Sequence, residues 1–413
     1  MIGSGVFLSV GLLTQEFTHW QLMLIWVFGA FLALLGCLSY GWLVRLVPKS
    51  GGEYQYIKAM VHPGLGAAAG WASILVGFAA PAAVDALATS EYICLLTGIK
   101  LDPRDFAVVL AIAMTAWHAL SIRSSRWLQN ALVIIKILLV VGFSVGGLWL
   151  THAHAWNEAA NLQTHIFPSA SSLISAILII SYAFTGWNAA VYMTEEFENP
   201  HVNVPKAMFK GWLLVSILYF AVTAVLAINL NFLTVQGGPS AQADGVTVSH
   251  WVATHLFGQI GATILTIVLV GVLASSMSTL IYAGSRVVQA MAADGLFSDY
   301  FKKRKDEIRV RSVLFLGGVT ILLLMTQSIR QLVESIGAIL TLFSALSVAG
   351  MFRLKGERKL PRTKAWVPAL FVLTSVALLV VEATRSPMLI VWCALLFIAG
   401  IVSYRHLGDE TSV

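Results

Sequence analysis

Eleven apolar runs recur along this chain with only short polar stretches between them, and they restrict its fold more than any other feature. They are Gln21–Val47, Gly66–Leu95, Phe106–Ser121, Trp127–Leu150, Ser171–Tyr192, Ala207–Leu230, Gly258–Val288, Ser312–Thr326, Leu332–Phe352, Trp366–Ala383 and Met388–Tyr404. About 20 apolar residues cross a hydrocarbon core as a helix. Inside that core every backbone N–H and C=O must be satisfied internally, which a helix achieves alone. A further run, Ile2–Leu13, precedes them. At 1.5 Å per residue it covers only about 18 Å, little over half the core. The chain is 58% hydrophobic and 11% charged, where a soluble domain carries about 25% charged residues. The expected fold class is an all-α integral membrane protein with eleven full spans, an incomplete first helix and no soluble domain.

Lys and Arg set the expected orientation. If the half-span runs outward and the spans alternate, 21 of the 26 basic residues collect on the cytoplasmic side. Only Lys100, Arg104, Arg330 and Arg385 fall outside, and Lys136 lies within a span. This asymmetry predicts a cytoplasmic C-terminus and a location in the inner or plasma membrane, with lipid as the surrounding partner. Nucleic acid is not expected, because the basic residues do not interleave with aromatics on a polar domain. Cys37, Cys94 and Cys393 lie in apolar runs at unrelated spacings and form no disulfide or zinc pattern. No metal or other cofactor is expected: His152 and His154 lack a third ligand nearby, and His118 reads as a core histidine. The apolar start has neither a basic leader nor a small-residue cleavage site, so no cleavable signal is expected.

Two runs are interrupted. Gly3–Ser4–Gly5 breaks the first, and Thr185–Gly186 breaks the sixth, SYAFTGWNAAVYMTEEFENP. A glycine costs a helix about 1 kcal/mol relative to alanine. Breaks at corresponding positions point to two repeats, 1–150 and 171–352, followed by two extra helices within 366–404, all in one domain spanning 1–413. Inverted repeats with broken helices are the sequence pointer to a transporter whose site lies near the midplane. Unwinding frees N–H and C=O groups that lipid cannot satisfy. A zwitterion satisfies both, its carboxylate at a half-helix N-terminus and its ammonium on freed carbonyls.

Lys136, in WLQNALVIIKILLVVGF, is too deep to reach either interface easily and costs about 2.5–3.5 kcal/mol on insertion scales. It reads either as a cation or switchable proton site bracing an unwound helix, or as a structural lysine bonded to a carbonyl. Asp85 reads as a group for a cationic substrate, a proton carrier, or a partner within the bundle. Counted along upright helices, Asp85 and Lys136 differ in depth by roughly 15 Å, so a direct pair is not expected. Tyr182, Phe184 and Trp187 flank the second break, and Tyr182 is expected as a gate. Ser275, Ser276, Ser278 and Thr279 either line the site or join helices. Glu195, Glu196 and Glu198 either pair across a cytoplasmic gate with Arg45 or Lys49, or are simply solvated.

Four motifs in order carry a resemblance. IGSGVF (Ile2–Phe7), LVPKSGGEYQYI (Leu46–Ile57), FTGWN followed by TEEFENPHVNVPKA (Phe184–Ala207) and AGSRVVQAMAADGLF (Ala283–Phe297) resemble signatures of the amino acid–polyamine–organocation superfamily, in particular the L-type amino acid transporters and their bacterial relatives. The resemblance implies a leucine-transporter-type fold of two five-helix inverted repeats plus two C-terminal helices. It implies that Gly3, Ser4 and Gly5 offer N–H groups to a substrate carboxylate. Carbonyls around Ile2, Tyr182, Ala183 and Thr185, beside Gly186, would receive the ammonium. Asn188 matches a polar residue near the site. Lys136 matches a lysine that stands in for sodium in sodium-independent members. Two departures concern the substrate: Tyr40–Gly41–Trp42–Leu43 lacks an acidic residue usual in the family, and Asp85 is not usual in the third helix.

These readings together predict a sodium-independent secondary transporter, an antiporter or proton symporter, for amino acids, with neutral ones favoured. A cationic amino acid or polyamine transporter is one alternative, a non-transporting membrane protein of the same fold another. An enzyme is not expected, because no nucleophile–base or metal constellation lies in the spans. In the family the glycine motif sits mid-helix, so Met1 is expected to be an internal methionine of a longer chain; a genuine short form is the alternative.

Overall fold

In the computed structural model, residues 5–13, 16–99, 102–120, 126–151, 168–235, 247–301, 310–354 and 362–408 are described. All regular structure among them is helical. In chain order the helices are α1 (Gly5–Leu13), α2 (His19–Leu46), α3 (Glu53–Met60), α4 (Pro63–Thr97), α5 (Pro103–Ala119), α6 (Arg126–Leu150) and α7 (Ala170–Ala183). They continue with α8 (Pro200–Val235), α9 (Val248–Ala293), α10 (Val310–Thr326), α11 (Ile329–Gly350), α12 (Trp366–Arg385) and α13 (Pro387–Gly408). Within α4, Ser73–Ala79 is π-helical. By length and composition, six of these helices can cross a membrane: α2, α4, α8, α9, α11 and α12. Four shorter apolar helices accompany them, Ile134–Leu150, Ala170–Ala183, Val310–Thr326 and Leu389–Tyr404.

The helix ends are fixed by polar residues at the margins of the apolar runs. Thr18 with Gln21 and Ser328 with Gln331 form capping boxes at the starts of α2 and α11, while Ser169 caps α7. Gly98, in the left-handed region at φ 68°, terminates α4.

A helix apolar on all sides belongs in the interior. Accordingly, α1 is buried at every residue but Leu12, and it packs on α7, α8 and α9. Around this centre α2 lies along α8, α4 along α9, and α7 along α11. Periphery and centre differ: α6 turns Ile134, Leu138 and Val145 outward, and α9 turns out Ile260, Ile264 and Ile267. Exposed apolar faces of this extent fit contact with lipid.

At one end of the bundle Arg330 of α11 reaches Glu16, which follows α1, at 2.6 Å and Glu334 at 3.3 Å. Ser175 of α7 donates to Glu334 at 2.8 Å. Three elements are thereby tied through half-exposed groups. Exposed pairs contribute about 0.2–1 kcal/mol each. Arg330→Met is therefore expected to lower the melting temperature of the detergent-purified protein by only about 1–3 °C. A loss beyond about 5 °C in a thermal-melt assay would contradict the exposed-pair account.

Candidate functional site

The centre of the molecule is the crossing of α1 and α7. A Cβ on Gly5 would lie 2.7 Å from Ala183 Cα, so the two backbones are in contact. The Ser9 hydroxyl donates to the Ile179 carbonyl at 3.2 Å, one turn further along. At this contact α7 stops. Its last residue is Ala183, and turns run through to Asn188 with Gly186 at φ 89°. A short 3-10 segment, Ala189–Glu196, follows. The sixth apolar run is thus half a helix followed by irregular chain, as its Thr-Gly interruption predicts.

The turn's own hydrogen bonds run to the carbonyls of Ile180, Tyr182, Phe184 and Gly186. Tyr182 O takes both the amide and the hydroxyl of Thr185, at 2.9 and 2.7 Å. Among the described residues these bonds leave out the carbonyls of Ala183 and Thr185, which makes those two the better acceptors for a ligand cation. Ile2, Gly3 and Ser4 lie outside the described residues. Gly5 and Ala183 are brought together, with Thr185 and Gly186 one turn away.

The aromatic residues around the break divide by role. Phe184 is buried between Trp26 and Tyr219, with ring centroids 5.7 and 5.8 Å away, and forms a wall. Trp187 packs edge-on to Tyr40 at 4.7 Å and fills the space left by Gly36, where a Cβ would meet its ring at 2.8 Å. Tyr182 is buried.

Lys136, Val140 and Phe143 form the buried stripe of α6, and Phe143 meets Phe7 of α1 at 6.2 Å. Lys136 lies within electrostatic reach of Asp85, which is 2% exposed on α4. The helix that carries Asp85 begins at Pro63 and contains the π-helical segment.

Ser275 and Ser276 are half-buried on α9, while Ser278 lies 2.8 Å from His118 of α5 and joins the two helices. Glu196 pairs with Arg286 of α9 at 3.6 Å rather than with Arg45 or Lys49. Arg45 instead donates to the His201 carbonyl at 3.4 Å and rests over Trp42. His152 and His154 lie outside the described residues, and no His/Cys/Asp/Glu group among the described ones could hold a metal ion.

One cluster has no counterpart in the sequence reading. Glu53, only 5% exposed, opens α3. Its Oε1 accepts from the Tyr40 hydroxyl at 2.7 Å and from Asn188 Nδ2 at 2.5 Å, and its Oε2 accepts from the Tyr192 hydroxyl at 2.5 Å. Asn188, expected near the ligand, is thereby bound on one side to α3. The preceding Gly51 and Gly52 have φ 124° and 61°, and a Cβ on Gly52 would meet the Tyr192 ring at 2.8 Å. The Gly-Gly pair therefore allows both the turn and the seating of that ring. One turn further, Lys58 reaches Asp294 beyond α9 at 3.1 Å, and Tyr54 donates to the same carboxylate.

Residues 1–403 match the model of the amino acid permease family. The chain is 26% identical over 427 residues to the b(0,+)-type amino acid transporter 1 of Rattus norvegicus, covering 98% of this chain and 84% of that protein. It is 27% identical to the Homo sapiens protein of the same name over 437 residues, again covering 98% and 84%. The large neutral amino acids transporter small subunit 2 of Homo sapiens is 28% identical over 391 residues, covering 87% of this chain and 68% of the relative.

Proposed function

Because the chain belongs to the amino acid permease family, we propose that it is a sodium-independent secondary transporter carrying neutral amino acids by alternating access. The observation that carries this reading is the α1–α7 crossing at Gly5 and Ala183, beside a helix that stops and restarts irregularly. A break of this kind offers uncommitted carbonyls to an ammonium group, and the N-terminal end of α1 offers N–H groups to a carboxylate. The α-amino acid backbone is the zwitterion that matches both. Lys136 places a fixed cation on the buried face of α6, the face that also meets α1 through Phe143. In this reading it takes the place of a coupling sodium ion.

Neutral substrates are favoured because Asp85 acts on Lys136, so its charge is engaged within the bundle. The name of the third relative, a large neutral amino acids transporter subunit, points the same way. The reading includes eleven spans in two inverted five-helix repeats plus two further helices, Gly3 and Ser4 as carboxylate-side groups, Ile2 as an ammonium-side carbonyl, and a cytoplasmic C-terminus.

The test is counterflow of radiolabelled amino acids into proteoliposomes preloaded with unlabelled substrate, using a panel of neutral, cationic and acidic compounds and a polyamine. Saturable counterflow of neutral amino acids, unchanged when choline replaces sodium, is expected. The absence of saturable flux for any α-amino acid would sink the proposal. Strong sodium stimulation would remove the coupling assignment, and preference for a cationic compound would transfer the reading to the cationic alternative.

A further inference from the structure

Glu53 is a buried acid whose oxygens are met by three neutral donors from two other parts of the chain. Burying a carboxylate is costly unless hydrogen bonds replace its water. Bonds to a charged acceptor are about twice as strong as neutral ones. Three donors on two oxygens is the pattern of a carboxylate. Two of those donors, Asn188 and Tyr192, lie on the chain that leaves the break, and the third, Tyr40, comes from α2. Tyr192 also has Ser73 within hydrogen-bond reach, and its ring packs edge-on to Phe78 at 5.8 Å. Both residues belong to the π-helical segment of α4.

Asn188 joins this cluster to the site. A carboxylate only accepts hydrogen bonds, so the atom that Asn188 turns toward Glu53 is Nδ2. That fixes which way the amide faces. Asn188 is half-buried, as are Thr185 and Gly186 just before it, and its carbonyl oxygen and second N–H are the amide atoms that Glu53 does not use. Tyr40, held by the same carboxylate, backs Trp187.

We propose that Glu53 is a positioning residue for transport: it orients the Asn188 amide at the substrate site and docks segment 189–196 onto α2 and α3. The proposal rests on the amino acid transport reading above. Release of Asn188 and Tyr192 from Glu53 frees the chain beyond the break, so a change in that segment is coupled to the geometry of the site.

Two measurements test it. In proteoliposomes, Glu53→Ala is expected to raise the KM for the preferred amino acid at least about fivefold. In an Asn188→Ala background the same substitution is expected to raise it less than about twofold, since the amide it positions is gone. A purely structural role would give similar increments in both backgrounds, and that result overturns the proposal, as does an unchanged KM in the single variant. Glu53→Gln keeps the size and one accepting oxygen and is expected to restore most of the affinity; it also serves if Glu53→Ala does not fold. The second measurement is hydrogen–deuterium exchange on the purified full chain and needs no flux. Glu53→Ala, or Glu53→Gln to a smaller degree, is expected to speed amide exchange across 189–196 about tenfold, with α10 and α12 unchanged. Unchanged protection there overturns the docking. A parent protein without counterflow but with this exchange response would refute the transport reading and leave the docking standing.

Discussion

Lys136→Ala is expected to abolish amino acid counterflow and to destabilise the protein, and the two losses should separate on a second substitution. Lys136 and Asp85 are both buried, and they act on one another across α6 and α4. Removing one of two such buried charges is destabilising, because the remaining charge stays uncompensated in a low-dielectric interior. Replacing both charges by uncharged groups is far cheaper than breaking the pair. Lys136→Ala with Asp85→Asn should therefore recover most of the melting temperature in detergent. It should not recover flux, because the cation proposed to brace α1 is still missing. The loss of flux is expected to be on the order of a hundredfold or more at the level of one missing charged contact. A single variant retaining half of the parental counterflow would refute the bracing role. A double variant no more stable than the single one would show that Asp85 does not balance Lys136.

The helices and the break show where sequence reasoning holds, and the side-chain partners show where it stops. Each of the eleven apolar runs contains or overlaps a helix, because hydrocarbon leaves a lone segment no other way to satisfy its backbone. The Thr185–Gly186 interruption was legible for the same reason: α7 ends two residues before it. Partners across long sequence separations were not legible. Glu196 meets Arg286, some 90 residues on, although Arg45 and Lys49 share its expected side. Glu53 was visible only as a letter in a motif. An acid directly after Gly-Gly, followed by Tyr54 and Tyr56, was the available signal. Nothing local could show that its donors come from α2 and from the chain beyond the break.

Gly5→Ala is expected to remove transport while leaving the protein folded, and the competing magnitudes decide the sign. In an isolated helix this change is favourable by about 1 kcal/mol. Here the new Cβ would sit 2.7 Å from Ala183 Cα and 3.2 Å from its carbonyl oxygen. Optimal carbon contacts lie near 3.5–4.0 Å, so α1 must retreat from α7 by about 1 Å. Overpacking of this kind costs about 1–3 kcal/mol, which outweighs the gain in propensity. The functional cost is larger than the stability cost. The retreat separates the N-terminal end of α1 from the Ala183 carbonyl, the two sides proposed to hold the carboxylate and the ammonium of one small ligand. A displacement of about 1 Å in a positioning group can cost about a hundredfold in rate. Gly271→Ala is the control, because a Cβ there meets nothing within 4 Å. It should keep parental counterflow within about twofold and gain slightly in stability from propensity. Parental KM and maximal counterflow in Gly5→Ala would show that the α1–α7 contact does not form the substrate site, whatever its part in packing.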